Sequence, residues 1–252
     1  MNQKYYKWLI LLFLLMILVL LAFSLSLMYG EMRLSLPQLL DVLSEKEGLK
    51  YVIIRKIRLP RTIMAFAVGG SLSLTGAILQ GIYRNPLVEP YTLGISGGAA
   101  FGVALVIVLS LHLTIGAFVL PLAGFTGAMV TIFVVYFLSI HKGVTNINRM
   151  LLIGVMISFV ASSSMMFLMA ITTSENLHGI IFWMMGSLDE PNAVLIKVVL
   201  YSSLTGLLLS YFFARPLNAL RLGQEKAHHL GINTNTTIRI LFVIASLLTG
   251  IC

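Results

Sequence analysis

Apolar residues run along this chain in long blocks, and polar residues gather in the gaps between them. Seven blocks stand out, near 8–28, 62–83, 93–111, 116–140, 150–171, 193–214 and 238–252. A helix needs about 20 apolar residues to cross the ~30 Å hydrocarbon core of a bilayer. The first six blocks fall in that range. The seventh rises only about 22 Å as a helix, short of the core. The chain is therefore expected to be truncated at its C-terminus, or else to bury this block against a partner; truncation is the preferred reading. No block alternates with period two, which excludes a membrane barrel of roughly 10-residue strands. The pattern predicts an all-α polytopic membrane protein, a multi-helix bundle forming a single transmembrane domain over residues 1–252. A cytoplasmic segment is expected at 215–237. A short amphipathic piece, Leu177–Met185, is too short to cross.

Composition agrees with the pattern. Mean hydropathy is +0.97 and 10% of residues are charged, against about 25% in soluble proteins. The first block exceeds the roughly 7–15 residues of a signal-peptide core, and no small-residue cleavage site follows it, so it reads as a retained span. The single cysteine, Cys252, excludes an internal disulfide and carries no metal motif. The high isoelectric point, 9.7, does not call for nucleic acid as a partner. Basic residues in short loops set membrane orientation instead. With the N-terminus in the cytoplasm, inward segments carry Lys4, Lys7, Arg84, Lys142, Arg149, Arg215, Arg221, Lys226 and Arg239 against Glu89 and Glu225. Outward segments carry eight basic and seven acidic residues. This predicts a multi-pass protein of the cell membrane, in contact with lipid, with its N-terminus cytoplasmic. One stretch breaks the rule: RKIRLPR, Arg55 to Arg61, is basic and falls outside.

Within the blocks, Gly69, Ser73, Ala77 and Gly81 recur every fourth residue, as do Gly94, Gly98 and Gly102. Small residues at this spacing let helix backbones approach closely in lipid. Gln80 is costly in lipid, so it either lines a water-filled path or hydrogen-bonds to another helix. No Walker A, HExxH or CxxC motif occurs, and the run GISGGAAFG lacks both the spacing and the preceding strand of a dinucleotide site. Adjacent His228 and His229 would point about 100° apart on a helix, which disfavours a shared metal site. No catalytic residue, metal or cofactor is expected, and the chain is not read as an enzyme. No Asp or Glu falls inside a block, which weighs against an ion-coupled secondary transporter. A non-transporting membrane scaffold stays open as an alternative.

Three polar clusters interrupt the blocks. RLPR, Arg58 to Arg61, opens the second block on the outer side, and Pro60 suits a helix's first turn. Its two arginines could fork onto carboxylates of an external partner or reach lipid phosphate. RNPLVEP, Arg84 to Pro90, follows the same block on the inner side. Its prolines stop the helix and stiffen the loop, and Asn85 can cap freed backbone groups. It is either a simple turn or a constriction. RLGQEKAHHLGI, Arg221 to Ile232, reads as a short helix ending at Gly231, with Leu222, Ala227 and Leu230 as its apolar face. It suits docking to a cytoplasmic partner.

In this order, the clusters resemble the permease subunits of iron-siderophore, haem and cobalamin ABC importers, the FecCD type. The resemblance runs through RLPR, GAILQGIYRNPLVEPYTLGISGGA, FWMMGSL at Phe182–Leu188, and RPLNALRLGQEKAHHLG. It covers essentially the whole chain. It implies a type II importer permease fold of about ten helices, of which this chain holds six and part of a seventh. It implies that Arg58 and Arg61 dock the glutamates of an extracytoplasmic substrate-binding protein. Asn85 and Leu87 would line the cytoplasmic gate, with Asn146 and Asn148 in a second gate element. Gly223, Gln224, Glu225, Ala227, Leu230 and Gly231 would form the coupling helix that docks into a separate cytoplasmic ABC ATPase. The family usually has glutamate where this chain has Gln224; Glu225 is adjacent. A second permease subunit, the same or different, would complete a dimer. The implied cargo is a ferric siderophore, with haem or cobalamin as alternatives.

Overall fold

A lipid-facing backbone must satisfy its own hydrogen bonds, so apolar blocks of this length fold as helices. A computed structural model describes residues 2–44, 48–116, 118–141, 144–190 and 192–252. Lys142, counted above on the inner side, lies outside the described residues. In chain order the helices are α1 (Asn2–Met28), α2 (Leu36–Ser44) and α3 (Leu49–Val52), which runs through a π-helical stretch, Ile53–Arg58, into α4 (Leu59–Tyr83). A 3-10 turn, Pro90–Leu93, precedes α5 (Ile95–Val108), α6 (Leu111–Ile115) and α7 (Val119–Ser139). A two-residue antiparallel ladder, β1 (Ile140–His141) with β2 (Val144–Thr145), leads to α8 (Ile147–Ile171) and α9 (Ser174–Met185). There follow α10 (Ala193–Phe212), α11 (Ala214–Leu220), α12 (Gln224–His229) and α13 (Thr234–Ile251).

Among the described residues, six helical stretches are long and apolar enough to span a membrane: Tyr5–Met28, Leu49–Tyr83, Val119–Ser139, Ile147–Ile171, Ala193–Phe212 and Thr234–Ile251. The block at 93–111 differs from its expected extent. Gly94 sits at φ 77° and Ser110 at φ 55°, so the helix between them is only the 14 residues of α5. The second span starts earlier than expected. Leu59 N–H bonds to the Ile54 carbonyl, five residues back, and this wide turn directly precedes Pro60, which has no N–H to give. The last helix also starts early, at Thr234, because Asn233 caps it by accepting from Thr236 N–H at 3.1 Å.

Contacts divide the chain into two compact units, where the sequence suggests one domain. The first comprises residues 1–66 and 188–196. Its core is Leu27, Leu34, Leu39, Val42 and Ile54, while the apolar side chains of α1 from Tyr5 to Leu21 are exposed.

The second unit comprises residues 67–187 and 197–252. Its core joins Ile78, Leu79 and Ile82 of α4, Ala128 and Val135 of α7, and Met150 of α8. Ile238, Leu241, Phe242 and Ala245 of α13 complete it. Apolar helices gain no hydrophobic energy against each other in lipid, so close backbone contact must hold them. On α5 the small-residue stripe does this. A Cβ on Gly98 would lie 2.7 Å from the Gly127 carbonyl of α7, and one on Gly102 would lie 2.6 Å from that of Ala123. On α4 it does not. A Cβ on Gly69 or Gly76 would meet nothing within 4 Å, and only Gly81 is tight, against Leu217. The packed face of α4 carries Ser71, Thr75, Ile78 and Ile82 instead. Thr75 donates to the Ala245 carbonyl of α13 at 3.3 Å.

Candidate functional site

At the C-terminal end of α4, Arg84 takes a left-handed conformation, φ 51°, and turns the chain out of the helix. Asn85 Oδ1 then accepts from Leu87 N–H at 2.9 Å, and its carbonyl accepts from Val88 N–H at 3.3 Å. This is an Asn-stabilised turn. Val88, Pro90 and Leu93 are buried. Ser158 of α8 donates to the Tyr91 carbonyl at 3.2 Å, and Gly94 lies against the Gly154 carbonyl. The loop is thus pinned at several points, while Pro86, Leu87, Glu89 and Tyr91 stay exposed. Leu87, an apolar residue, is 82% exposed at its tip.

The segment carrying α11 and α12 lies close to the end of α4 and this loop. A Cβ on Gly81 would come 2.6 Å from Leu217 of α11, and one on Gly223 would come 3.3 Å from Arg84 Nη1. Gly223 stands at φ 116° and Gly231 at φ 79°, a backbone region in which an L side chain is strained. These two glycines bracket α12, and Ile232 N–H closes its end on the Ala227 carbonyl. Ala227 is fully buried and joins the same core as Val88 and Leu220. Leu222 and Leu230 are 59% and 63% exposed. The single apolar face expected for this segment is therefore split. With turns at both ends, the two leucines fall outside the helix proper and face outward, while Ala227 faces in. Gln224 and Glu225 are exposed beside them.

Ala77, Gln80, Gly81, Arg84, Asn85, Pro86 and Arg221 line a cavity of about 510 Å3. Gln80 makes no side-chain hydrogen bond among the described residues, so its amide is free to face that space. Asn146 and Asn148 do not line it. Asn146 caps α8, its Oδ1 accepting from Arg149 N–H at 3.0 Å, and Asn148 is exposed.

The two arginines of RLPR have different surroundings. Arg58 Nη1 donates to the carbonyls of Leu27 at 2.7 Å and Met28 at 3.3 Å, and Nη2 donates to that of Met32. The last turn of α1 has no basic residue of its own, and this guanidinium supplies positive charge to the carbonyls at its end. Arg61 is about half exposed and pairs with Asp189 at 2.9 Å. Neither the carbonyl clamp nor Asp189 was visible in the sequence, since both partners lie far from the arginines along the chain. The place of Arg84 and Arg221 on one cavity was likewise missed.

The sequence profile of the FecCD transport family matches residues 15–252. The cobalamin import system permease BtuC of Halobacterium salinarum is 35% identical over 199 residues, 79% of this chain and 53% of its own length. The hemin transport system permease HmuU of Yersinia pestis is 34% identical over 252 residues, 99% of this chain and 74% of its own. The iron(3+)-hydroxamate permease FhuG of Bacillus subtilis is 30% identical over 258 residues, 100% of this chain and 76% of its own. A solved inward-facing structure, assigned to the metal-chelate type of ABC transporter, superposes with a TM-score of 0.83 at 28% identity. It covers 96% of this chain, which spans 74% of it. The chain thus spans from about half to three quarters of the length of these proteins.

Proposed function

Because this chain belongs to the FecCD transport family of ABC importer permeases, we propose that it is the membrane subunit that passes a ferric siderophore from an external binding protein to the cytoplasm. ATP hydrolysis falls to a separate cytoplasmic subunit, and a second permease subunit completes the path. The observation that carries this reading is mechanical. The inner loop and the cytoplasmic helix share one core through Val88, Leu220 and Ala227, with further close contacts at Gly81–Leu217 and Arg84–Gly223. A push on α12 therefore reaches Asn85 and Leu87 through close-packed atoms, which transmit strain. In this reading Asn85 and the protruding Leu87 narrow the inner mouth, and Asn146 and Asn148 belong to a second gate element. Gln80 lines the path. Gln224, Glu225 and Leu230 meet the ATPase, braced by Gly223, Ala227 and Gly231.

The length of α4 supports this sidedness. Its 25 residues rise about 37 Å, more than the ~30 Å core, which is enough for its two ends to reach opposite sides of a membrane. Arg61, in its first turn, is the exposed docking residue at the outer rim, and Arg58 positions the segment that carries it. The charge asymmetry supports a cytoplasmic N-terminus in a cell-membrane protein.

The cargo is a metal chelate. The ferric siderophore reading draws support from likeness to a hydroxamate permease along 100% of this chain. Haem is the second reading, favoured by 34% identity over 99% of the chain to a hemin permease. The test is uptake into proteoliposomes holding the permease, its ATPase and its binding protein. ATP-dependent accumulation of a ferric hydroxamate, exceeding that of haem and cobalamin, is expected. Preferential haem uptake selects the second reading, and uptake driven by an ion gradient without ATP removes the importer altogether.

A further inference from the structure

We infer that the cavity at the C-terminal end of α4 binds a phosphate-bearing anion between Arg84 and Arg221. Both arginines line the same space of about 510 Å3, with the amides of Gln80 and Asn85 beside them. Among the described residues, no carboxylate lies within ion-pair distance of either guanidinium. Neither Glu89 nor Glu225, the acidic residues close to them in sequence, is part of the lining. Asn85 Oδ1 is occupied by Leu87 N–H, which leaves its NH2 group as a donor. The lining side chains therefore offer donors and positive charge, with no anion to answer them. Two like charges on one partly enclosed space repel each other, and an anion between them turns that repulsion into attraction.

Two backbone features build the arrangement. Arg84 is held in a left-handed conformation, φ 51°, uncommon for a residue with a side chain and usually found where the surroundings enforce it. Gly223, at φ 116°, leaves room for its guanidinium: a Cβ there would stand 3.3 Å from Nη1. Planar guanidinium groups suit phosphate because each can give two parallel N–H bonds to its oxygens. The cavity lies at the end of a helix long enough to cross a membrane, and basic pockets near such helix ends suit anionic lipids. A lipid phosphodiester and free phosphate share the chemistry, and the experiment separates them. The inference rests on the cavity's own side chains and not on the transport reading, so its failure would leave the permease reading intact.

The full chain is purified into nanodiscs of phosphatidylcholine with added phosphatidylglycerol, and retained lipids are counted by native mass spectrometry. A parallel arm follows thermal stabilisation by inorganic phosphate at rising KCl. Preferential retention of phosphatidylglycerol identifies the headgroup as ligand; salt-sensitive stabilisation by phosphate identifies the free anion. Either supports the site if Arg84→Gln with Arg221→Gln weakens it roughly tenfold or more, as loss of charge-assisted bonds requires. Should the double variant fail to fold, Arg221→Gln alone, at an exposed position, carries the test with a smaller loss expected. No preference over phosphatidylcholine and no phosphate effect overturns the proposal. So does undiminished anion binding in the variants, including the case where they lose only their association with the ATPase, which would assign the arginines to a protein contact.

Discussion

Arg58 and Arg61 share a four-residue motif and a helix turn, yet one guanidinium is tied to backbone carbonyls and the other faces out. Removing Arg58 leaves the carbonyls of Leu27 and Met32 without this donor, while that of Met28 keeps Leu34 N–H. Bonds to charged groups contribute about 1.5–3 kcal/mol, so Arg58→Ala should lower stability by about 2 kcal/mol, read as a drop in detergent unfolding temperature. Arg61 is in an exposed pair with Asp189, and such pairs contribute about 0.2–1 kcal/mol. Arg61→Glu should therefore unfold nearly as the parent does while losing affinity for the binding protein; unchanged affinity would remove the docking role. The glycines divide in the same way. Gly98→Ala drives a methyl into the Gly127 carbonyl, an overpacking cost of about 1–3 kcal/mol. Gly69→Ala meets nothing within 4 Å and should gain about 0.5–1 kcal/mol from reduced backbone entropy loss. Opposite shifts in unfolding temperature are expected from the two substitutions.

At the scale of elements, α12 is a six-residue helix, too short to be stable alone. Buried Ala227 and two glycines in left-handed or extended positive-φ geometry hold it in place. Gly223→Ala imposes strain at φ 116° and crowds Arg84. ATP hydrolysis by the assembled transporter should persist while transport per ATP falls; unchanged coupling would sever the link between α12 and the inner loop. Leu230, 63% exposed, should tolerate Leu230→Glu without loss of stability, while co-purification with the ATPase declines. A variant that binds the ATPase as well as the parent would exclude this residue from the contact.

At the scale of the molecule, the importer reading requires the clusters to occupy opposite rims. In a Cys252→Ser background, single cysteines from Arg61→Cys and Leu230→Cys should react with impermeant maleimide from opposite sides of sealed vesicles. Labelling of both from one side would contradict the importer reading. No Asp or Glu occurs in the six spanning stretches, so an ion-coupled reading would have to find its charged site elsewhere.

The apolar blocks alone determined that this is a helical membrane protein, because lipid leaves the backbone no other economical way to satisfy its hydrogen bonds. Local chemistry in the sequence also marked the turn at Asn85, the stop at Gly231 and the polar outlier Gln80, since these depend on neighbours a few residues away. Tertiary structure alone decided which stripe of small residues became a helix contact, because spacing cannot say whether another backbone lies opposite. It alone assigned Arg58 to the end of α1 and Arg61 to Asp189, and brought Arg84 and Arg221 to one cavity. Those pairings join residues from 26 to more than 120 positions apart, and a charge pattern along the chain carries no record of contacts made at that range.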